Sequence, residues 1–218
     1  MNETSGRRGA FITVEGVDGA GKTTQMGFIE QWLAGRGIEV VRTREPGGTG
    51  LGERLRDLLV RESALDISAH SELMLVFAAR RQHLEERILP ALESGRWVIS
   101  DRFTDATYAY QGAGRGIDAA RIEMLEQWVQ EGLTPDLTLV LDLPPEAGMA
   151  RSGRRGGATD RFEDEAMAFK RAVRECYLDR AARYADRMRV VDAGGSVATV
   201  QQEISNLLQD FLTARGGH

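Results

Sequence analysis

The sequence predicts an α/β fold in which a doubly wound, five-stranded parallel sheet is flanked by helices. Short apolar runs alternate with longer segments whose apolar residues recur at three- and four-residue spacing, which is typical of such sheets. The chain has 218 residues without a Pro/Ser-rich linker or a break in composition, which indicates one domain over residues 1–218. Because ligands of these sheets bind beyond the carboxyl ends of the strands, the residues after each apolar run are the candidates for chemistry.

The predicted elements alternate regularly along the chain. The apolar runs are predicted to be buried strands at residues 11–15, 39–43, 97–100, 137–141 and 189–191. Helices are predicted at residues 22–35, 52–61, 71–94, 119–131, 162–184 and 197–212. Two segments are expected to be mobile, namely the polar N-terminus at about residues 1–9 and a Gly/Arg-rich stretch at about residues 151–161.

Composition argues against several functional classes. The net charge of −5 disfavours a nucleic-acid coat protein or a membrane-surface protein, although local arginine clusters could still hold an anionic substrate. No stretch approaches the roughly 18 apolar residues of a membrane span, and no apolar core of signal-peptide length follows the N-terminus. The single cysteine, Cys176, cannot form an internal disulfide and is expected in core packing. A cytoplasmic protein without nucleic-acid or membrane partners is therefore predicted.

The first predicted strand leads into a glycine-rich motif. Residues 16–23 fit GxxxxGK(S/T) between a strand and a helix, an order that a chance match is not expected to reproduce. The glycines allow backbone N–H groups to turn toward an anion, and the helix dipole adds to the attraction. Lys22 is expected to contact the β and γ phosphates, and the Thr23 hydroxyl to bind magnesium. The predicted nucleotide-binding residues are Gly16, Val17, Asp18, Gly19, Ala20, Gly21, Lys22, Thr23 and Thr24.

Polar motifs also follow the second and third predicted strands. Asp101 lies at the tip of the third strand, where its carboxylate can hold magnesium or its waters; a helix N-cap is the alternative, but the adjacent Arg102 favours the metal site. Residues 44–48 read Arg-Glu-Pro-Gly-Gly, and turn formation explains their proline and glycines. It does not explain Arg44 and Glu45.

The long predicted helix and the segment after Asp101 supply a candidate pocket for a planar base. Phe77 and Arg80 lie about one turn apart and would give an aromatic wall and a polar end, although core packing is the commoner role of a phenylalanine. Residues 107–116 are expected to add polar groups to the same cleft. Their glycines are not expected to open a helix after a strand, so a dinucleotide-binding fingerprint is rejected.

Arginines crowd the Gly/Arg-rich stretch at Arg151, Arg154, Arg155 and Arg161. A run of charged residues on a protein surface usually faces solvent and binds no ligand. Beside a phosphate-binding loop, mobile arginines can instead close over a transferring phosphate and supply cations when substrates are bound. The stretch is therefore a candidate lid.

Taken in order, these motifs resemble the bacterial thymidylate kinase family over nearly the whole chain. The matching segments are EGVDGAGKTT, TREPGGT, FAARRQH, SDRFTDATYAYQGAGRGID and RxxRR…DRFE. The resemblance implies a P-loop fold with ATP at the glycine-rich motif and a mobile arginine lid. It also implies Mg²⁺-dependent transfer of the γ-phosphoryl group of ATP to dTMP, giving dTDP for dTTP synthesis in DNA replication, by a cytosolic homodimer.

The resemblance implies roles at the phosphate and sugar of dTMP. Arg56 and Arg102 would hold the acceptor phosphate, and Asp18 would face the deoxyribose 3′-hydroxyl or magnesium. Tyr110 would crowd the sugar 2′ position and so exclude ribonucleotides. The residues that would border the same end of the nucleotide are Glu45 and Pro46.

Roles at the thymine base follow from the same resemblance. Arg80 would hydrogen-bond the base, with Phe77 or Val76 stacking beside it. Thr107 and Gln111 would meet the base edge.

The family has two arrangements of its catalytic arginine, one in the phosphate loop and one in the lid. Gly19 follows Asp18, so the loop has no arginine, and the chain resembles the lid-arginine type. The implied catalytic residues are Asp18, Lys22, Arg102, Arg154, Arg155 and Arg161. Which lid arginine, Arg151 included, contacts the transferred phosphate stays open.

Two other functions share parts of this pattern. A kinase for another nucleoside monophosphate or for a deoxynucleoside would have the same loop and lid, and a deoxynucleoside hydroxyl would need a base, for which Asp18 or Glu45 could serve. A GTP-binding switch usually carries Asn-Lys-x-Asp. The only asparagines of this chain, Asn2 and Asn206, are not followed by lysine, which disfavours the switch.

Overall fold

A computed structural model describes residues 8–61, 65–153, 162 and 165–216 of the chain. The strands are β1 (Phe11–Glu15), β2 (Val40–Arg44), β3 (Trp97–Asp101), β4 (Leu137–Asp142) and β5 (Met188–Asp192). They form one sheet in the order β2-β3-β1-β4-β5, and every neighbouring pair is parallel. The predicted doubly wound five-stranded sheet is therefore confirmed.

Helices connect successive strands on both sides of the sheet. In chain order they are α1 (Lys22–Ala34), α2 (Gly50–Arg56), α3 (Ala69–His83), α4 (Leu89–Glu93), α5 (Thr104–Thr107), α6 (Ala119–Gln130), α7 (Pro145–Gly153), α8 (Met167–Arg183) and α9 (Val197–Ala214). Wider π-helical segments continue α2 at Asp57–Arg61, join α3 to α4 at Leu84–Ile88 and continue α5 at Tyr108–Gly114. None of the helices in the described part of the chain is long and apolar enough to cross a membrane.

Both faces of the sheet are covered, because neighbouring residues of β1 point into different cores. Ile12 belongs to a core formed with α1, α8 and α9, whereas Phe11 belongs to a second core formed with α3, α4 and α6. A strand buried on both faces is expected to be mostly apolar, which accounts for Phe11, Ile12 and Val14 of β1. Thr13 and Glu15 are the buried polar residues of this strand.

The structure corrects the sequence prediction between β3 and α6. Residues 104–114 are helical, although the poor helix propensity of Gly112 and Gly114 argues against a helix there. A Cβ atom at Gly114 would lie 2.4 Å from the Phe169 ring, so glycine is needed where this helix packs on α8. Tertiary packing therefore outweighs the local preference of these glycines.

Other boundaries differ from the prediction by smaller amounts. The predicted helix 162–184 begins only at Met167, and residues 151–153 of the predicted loop belong to α7. Gly9, assigned to a flexible N-terminus, is buried, and its N–H donates to the Leu92 carbonyl over 2.9 Å.

Strand register brings the candidate chemistry to one edge of the sheet. Asp101 at the end of β3 is the pairing partner of Val14 in β1 and of Arg44 in β2. The glycine-rich loop, the Arg44 turn and Asp101 therefore lie side by side at the carboxyl ends of the three strands.

Candidate active site

The glycine-rich loop connects β1 to α1 and is closely packed. Gly16, Gly19 and Gly21 have φ values of 137°, 81° and 92°, a region that favours glycine. A Cβ atom would lie 2.6 Å from the Leu141 carbonyl oxygen at Gly16, and 2.2 Å from the Gly148 carbonyl oxygen at Gly19. At these two positions, both the backbone conformation and the available space therefore require glycine.

Lys22 is folded back over the loop at the start of α1. Its Nζ donates to the carbonyl oxygens of Gly16 and Val17 over 3.0 Å and 3.1 Å and lies 3.8 Å from Asp18 Oδ1. Burial and the Arg102 guanidinium lower the pKa of Lys22, whereas Asp18 acts in the opposite direction. No acidic residue occupies the first turn of α1, so the positive end of the helix dipole is not offset there.

Arg102 connects this loop to a neighbouring cavity. Its NH2 group donates to Asp18 Oδ1 over 2.6 Å and to the Tyr110 hydroxyl over 2.9 Å. Burial alone would raise the pKa of Asp18, but Arg102 and Lys22 lower it to about 2. Asp18 is therefore an anion near neutral pH, flanked by two cations.

The Arg102 backbone is held in an unusual conformation, with φ at 71°. Such a conformation costs a non-glycine residue about 1–3 kcal/mol. The Arg102 N–H donates to the Val14 carbonyl, Ser100 Oγ donates to the Arg102 carbonyl, and the next N–H, of Phe103, donates to Glu15 Oε1 over 2.7 Å. These bonds stabilise the turn that directs Arg102 toward the loop.

Glu15 is a buried site residue that sequence reasoning missed. Besides Phe103 N–H, it accepts a hydrogen bond from the Tyr177 hydroxyl over 2.8 Å. Desolvation, together with nearby Asp105, raises the pKa of Glu15 to about 8. The available signal was a lone carboxylate ending a fully buried strand directly before the glycine-rich loop.

We expect Glu15 to make the stability of the protein depend on pH. The folded chain keeps a proton on Glu15 up to about pH 8, whereas the unfolded chain releases it near the ordinary value of 4.5, so wild-type stability falls as pH rises through this window. A glutamine in its place has no proton to lose. In thermal melts, the melting temperature of Glu15→Gln minus that of wild type should therefore increase between pH 5 and pH 8 and then level off.

The exposed Glu93→Gln substitution is the matched control for this effect, since it removes a carboxylate from the surface. Its melting-temperature difference from wild type should stay nearly constant over the same range. A constant difference for Glu15→Gln as well would contradict the raised pKa.

Asp101, which the sequence predicts to hold magnesium together with Thr23, has a carboxylate oxygen that could bind a metal. Asp101 Oδ1 is buried and has no hydrogen-bond partner among the described residues. The N-cap of α5 is Phe103, so Asp101 does not cap that helix. The described residues contain no group of three or more acidic, His or Cys side chains that could hold a metal. The Asp101 oxygen, unpaired within the described part of the chain, suits Mg²⁺, which commonly binds through one or two protein ligands, waters and substrate phosphates.

A cavity of about 560 Å³, counting its open mouth, adjoins the loop at Asp18 and Arg102. Its walls include the apolar side chains of Val76, Phe103 and Phe162. Nine of the ten residues predicted for the acceptor nucleotide line it: Asp18, Glu45, Pro46, Arg56, Arg80, Arg102, Thr107, Tyr110 and Gln111. The structure thus brings residues from several separate segments of the chain to one cleft.

Phe77 is the predicted residue that does not line the cavity. It is 2% exposed and packs in the core cluster of Phe11 and Phe103. Consecutive helix positions point about 100° apart, and Val76, the neighbour of Phe77, is the one that lines the cleft. Phe77 instead supports Arg80, whose guanidinium carbon lies 4.8 Å from the ring centroid.

Arg80 is fixed at the inner end of the cavity by a buried chain of polar groups. Its Nε donates to Glu45 Oε2 over 2.8 Å and its NH2 to Thr107 Oγ1 over 2.9 Å. Glu45 Oε1 is 2.9 Å from His83 Nδ1, and His83 Nε2 is 2.6 Å from Thr43 Oγ1. Burial would raise the pKa of Glu45, but Arg80 and His83 together lower it below its ordinary value. The guanidinium therefore has a fixed orientation.

Arg56 and Phe162 line the cleft, and Arg151 is the candidate lid arginine that the structure describes. Arg56 donates to the Pro46 carbonyl over 3.0 Å. Arg151 in α7 donates to the carbonyls of Ala193 and Gly194, after β5, over 2.8 Å and 3.2 Å. The Phe162 ring packs edge-on against Tyr110 at 5.5 Å between centroids. The predicted lid residues Arg154, Arg155 and Arg161 lie outside the described residues.

Known proteins resemble this chain closely in sequence and structure. The family model described as thymidylate kinase matches residues 14–204. A thymidylate kinase of Thiobacillus denitrificans is 57% identical over 204 residues, covering 93% of this chain and 98% of the relative. A thymidylate kinase of Pseudomonas putida is 55% identical over 204 residues, covering 94% and 97%.

A solved structure agrees with these relatives. The crystal structure of thymidylate kinase from Ehrlichia chaffeensis matches with a TM-score of 0.75 at 36% identity, covering 93% of this chain and 99% of the other. Because the match covers nearly the whole of both chains, the agreement is not limited to the glycine-rich loop. The chain therefore belongs to the thymidylate kinase family.

Proposed function

We infer that this chain transfers the γ-phosphoryl group of ATP to dTMP, giving ADP and dTDP. The observation that carries this inference is the junction at Asp18 and Arg102, where a phosphate-binding loop opens into a cavity suited to a pyrimidine nucleotide. Two nucleotides bound in these places would meet phosphate to phosphate. Family membership agrees with this arrangement.

On the donor side, we propose that the loop N–H groups and Lys22 bind the ATP phosphates. Thr23 and Asp101 would hold Mg²⁺, directly or through waters, and the metal would neutralise charge on the donor phosphates. The buried Asp101 Oδ1, which has no partner among the described residues, supports this assignment.

On the acceptor side, Arg56 and Arg102 would bind the dTMP phosphate. Tyr110, which is 8% exposed and tied to Arg102, would fill the space beside the sugar 2′ position, while Asp18 would accept from the 3′-hydroxyl. Arg80 would donate to the thymine O4 atom. The remaining proposed contacts are Glu45, Pro46, Thr107 and Gln111.

The reaction requires no general base from the protein. The second pKa of a phosphate monoester is about 6, so the attacking oxygen of dTMP is largely ionised near neutral pH. The obstacle is repulsion between two polyanions, which cations held in advance reduce. Lys22 and Arg102 supply such cations, and we propose that Arg154, Arg155 or Arg161 adds another from the lid.

A panel of acceptors tests the proposed function. With ATP and Mg²⁺, dTMP should be the best substrate, and dUMP should be slower by about 10- to 200-fold, because a pocket rewards one methyl group by only about 1–3 kcal/mol. Turnover of dCMP should be lower still, and thymidine should not react, since its 5′-hydroxyl would need a base. Comparable turnover of dTMP and dCMP would contradict the proposed pocket, and efficient use of thymidine would indicate a deoxynucleoside kinase instead.

We further propose that the whole chain forms one kinase domain that works in the cytoplasm as a homodimer. Helices α3 and α6 pack side by side, with Arg121 NH1 3.0 Å from His70 Nε2. Large apolar side chains on these two helices are exposed to solvent, namely Met74 at 58%, Met124 at 68% and Trp128 at 76%. Such exposure favours an interface with a second copy.

Replacing Trp128 with glutamate should therefore convert a dimer to a monomer, because the new charge would be desolvated at the interface. Light scattering coupled to size-exclusion chromatography measures the change. Val197→Glu is the matched control, since Val197 is also an exposed apolar residue, at 55%, but lies on α9. A monomeric wild type, or a dimeric Trp128→Glu variant, would contradict the interface.

A further inference from the structure

A buried carboxylate lies behind the cavity and contacts one of its polar lining residues. Glu72 in α3 is fully buried, and its Oε1 accepts a hydrogen bond from Gln111 Nε2 over 2.9 Å. Arg115 Nε is 3.3 Å from the same oxygen, which gives the carboxylate a cationic partner. Gln111 itself is 4% exposed and lines the cavity.

This contact determines which way the Gln111 amide faces. Glu72 Oε1 is the acceptor of this hydrogen bond, so the amide presents its NH2 group to Glu72. Its carbonyl oxygen then points elsewhere, since the two atoms diverge from the same planar carbon. Among the described residues, none donates to Gln111 Oε1, so this oxygen is available to a bound molecule.

Arg80, which also lines the cavity, offers hydrogen-bond donors, whereas Gln111 offers an acceptor. A guanidinium has only N–H donors, and Arg80 is held in place by Glu45 and Thr107. The cavity therefore presents a donor from Arg80 and an acceptor from Gln111. Thymine and uracil have the complementary O4 acceptor and N3–H donor, whereas cytosine has an N4 amino donor and an N3 acceptor.

We propose that Glu72 is a specificity-determining positioning residue, which fixes the Gln111 amide so that the cavity accepts a thymine or uracil edge and rejects cytosine. Glu72 acts through Gln111 and does not touch the base. This inference rests on the proposed function, because it assumes that a pyrimidine monophosphate occupies the cavity. Glu72 would affect only the choice between thymine or uracil and cytosine, which depends on the polar edge of the base. The choice between thymine and uracil depends on the methyl group, which Gln111 and Glu72 do not recognise in this proposal.

The Glu72→Gln variant tests the proposal through two substrate ratios. The amide introduced at position 72 can hydrogen-bond Gln111 in either amide orientation, so a flipped Gln111 can donate to cytosine N3. The ratio of kcat/KM for dTMP to that for dCMP should fall about tenfold or more, because a polar mismatch has been relieved. The ratio for dTMP to dUMP should stay within about twofold, since both bases present the same polar edge. A general loosening of the pocket would lower both ratios.

The Gln111→Met variant is a second test of the proposal. It removes the amide with little change in length, and it should lower the dTMP/dCMP ratio while sparing the dTMP/dUMP ratio. Adding Glu72→Gln to Gln111→Met should then have no further effect on either ratio, because Glu72 would have lost the group it orients. Thermal melts establish that each variant is folded. If Glu72→Gln does not fold, Glu72→Asp keeps the charge for Arg115 but withdraws it from Gln111, and the same two ratios apply.

An unchanged dTMP/dCMP ratio in the folded Glu72 variant, a parallel fall of both ratios, or additive effects in the double variant would each overturn the proposal. Wild-type protein in the same assay separates this failure from that of the proposed function. If wild type phosphorylates dTMP and the ratios do not respond, only the role of Glu72 is wrong. If wild type does not phosphorylate dTMP, the pocket assignment itself fails.

Discussion

Lys22→Ala should lower kcat for dTMP phosphorylation by about 10²- to 10³-fold, the usual consequence of removing one preorganised group that stabilises transferring charge. Lys22 Nζ is held over the loop by two carbonyl oxygens and is 7% exposed, so its position is fixed before the reaction. Steady-state kinetics with saturating ATP and dTMP measure the loss.

Arg96→Ala is the matched control for Lys22→Ala, because it removes an exposed cation just before β3, at the opposite edge of the sheet. It should leave kcat nearly unchanged. Because Lys22 also bonds the loop backbone, a thermal melt must show that the Lys22 variant is folded. A folded variant with more than about a third of wild-type kcat would contradict the role of Lys22.

Arg102→Ala should lower kcat/KM for dTMP by about 10²- to 10³-fold and should affect the KM for ATP much less. Arg102 contacts Asp18 in the phosphate loop and Tyr110 in the acceptor cavity, so it lies where the two phosphates would meet. Arg102→Lys should recover little activity, since one ammonium group does not reproduce the planar fork of a guanidinium.

Arg36→Ala gives the control for Arg102, because Arg36 is an exposed arginine just beyond the end of α1 that lies away from the loop. Its guanidinium carbon is 3.5 Å from the centroid of the Trp32 ring, and that of Arg102 is 5.1 Å from the centroid of the Tyr110 ring, so each substitution removes a cation and a ring contact. Its kinetics should match wild type. An Arg102→Ala variant that weakened ATP and dTMP equally would instead favour a general role in loop stability.

Much of the fold could be predicted because each strand contains a short apolar run, and those of the inner strands β1 and β4 are mostly buried. The prediction for β1 has the observed bounds, and β3 extends only one residue further, to Asp101. The prediction of secondary structure failed where tertiary packing outweighs the helix propensity of the local sequence. The helix ending at Gly114 contains glycines that would disfavour it in isolation, and the close packing of Phe169 against Gly114 was not visible in the sequence.

The residues of the candidate site, too, could be predicted only in part. Most residues that face the cleft could be predicted because they lie within sequence motifs, such as Glu45 in TREPGGT, Arg80 in FAARRQH and Gln111 in SDRFTDATYAYQGAGRGID. Their buried partners could not, since Glu15, Glu72 and His83 act through contacts with residues distant in the chain. Helical periodicity also could not decide between Val76 and Phe77 without the neighbouring core.

We propose that the γ-phosphoryl group passes directly from ATP to the phosphate of dTMP across the Asp18–Arg102 junction. ATP labelled with ¹⁸O in its γ-phosphoryl group tests this most directly, with products analysed by mass spectrometry. We expect the label in the terminal phosphoryl group of dTDP, with dTDP and ADP formed in equal amounts. Label in inorganic phosphate, with dTMP left unchanged, would contradict it.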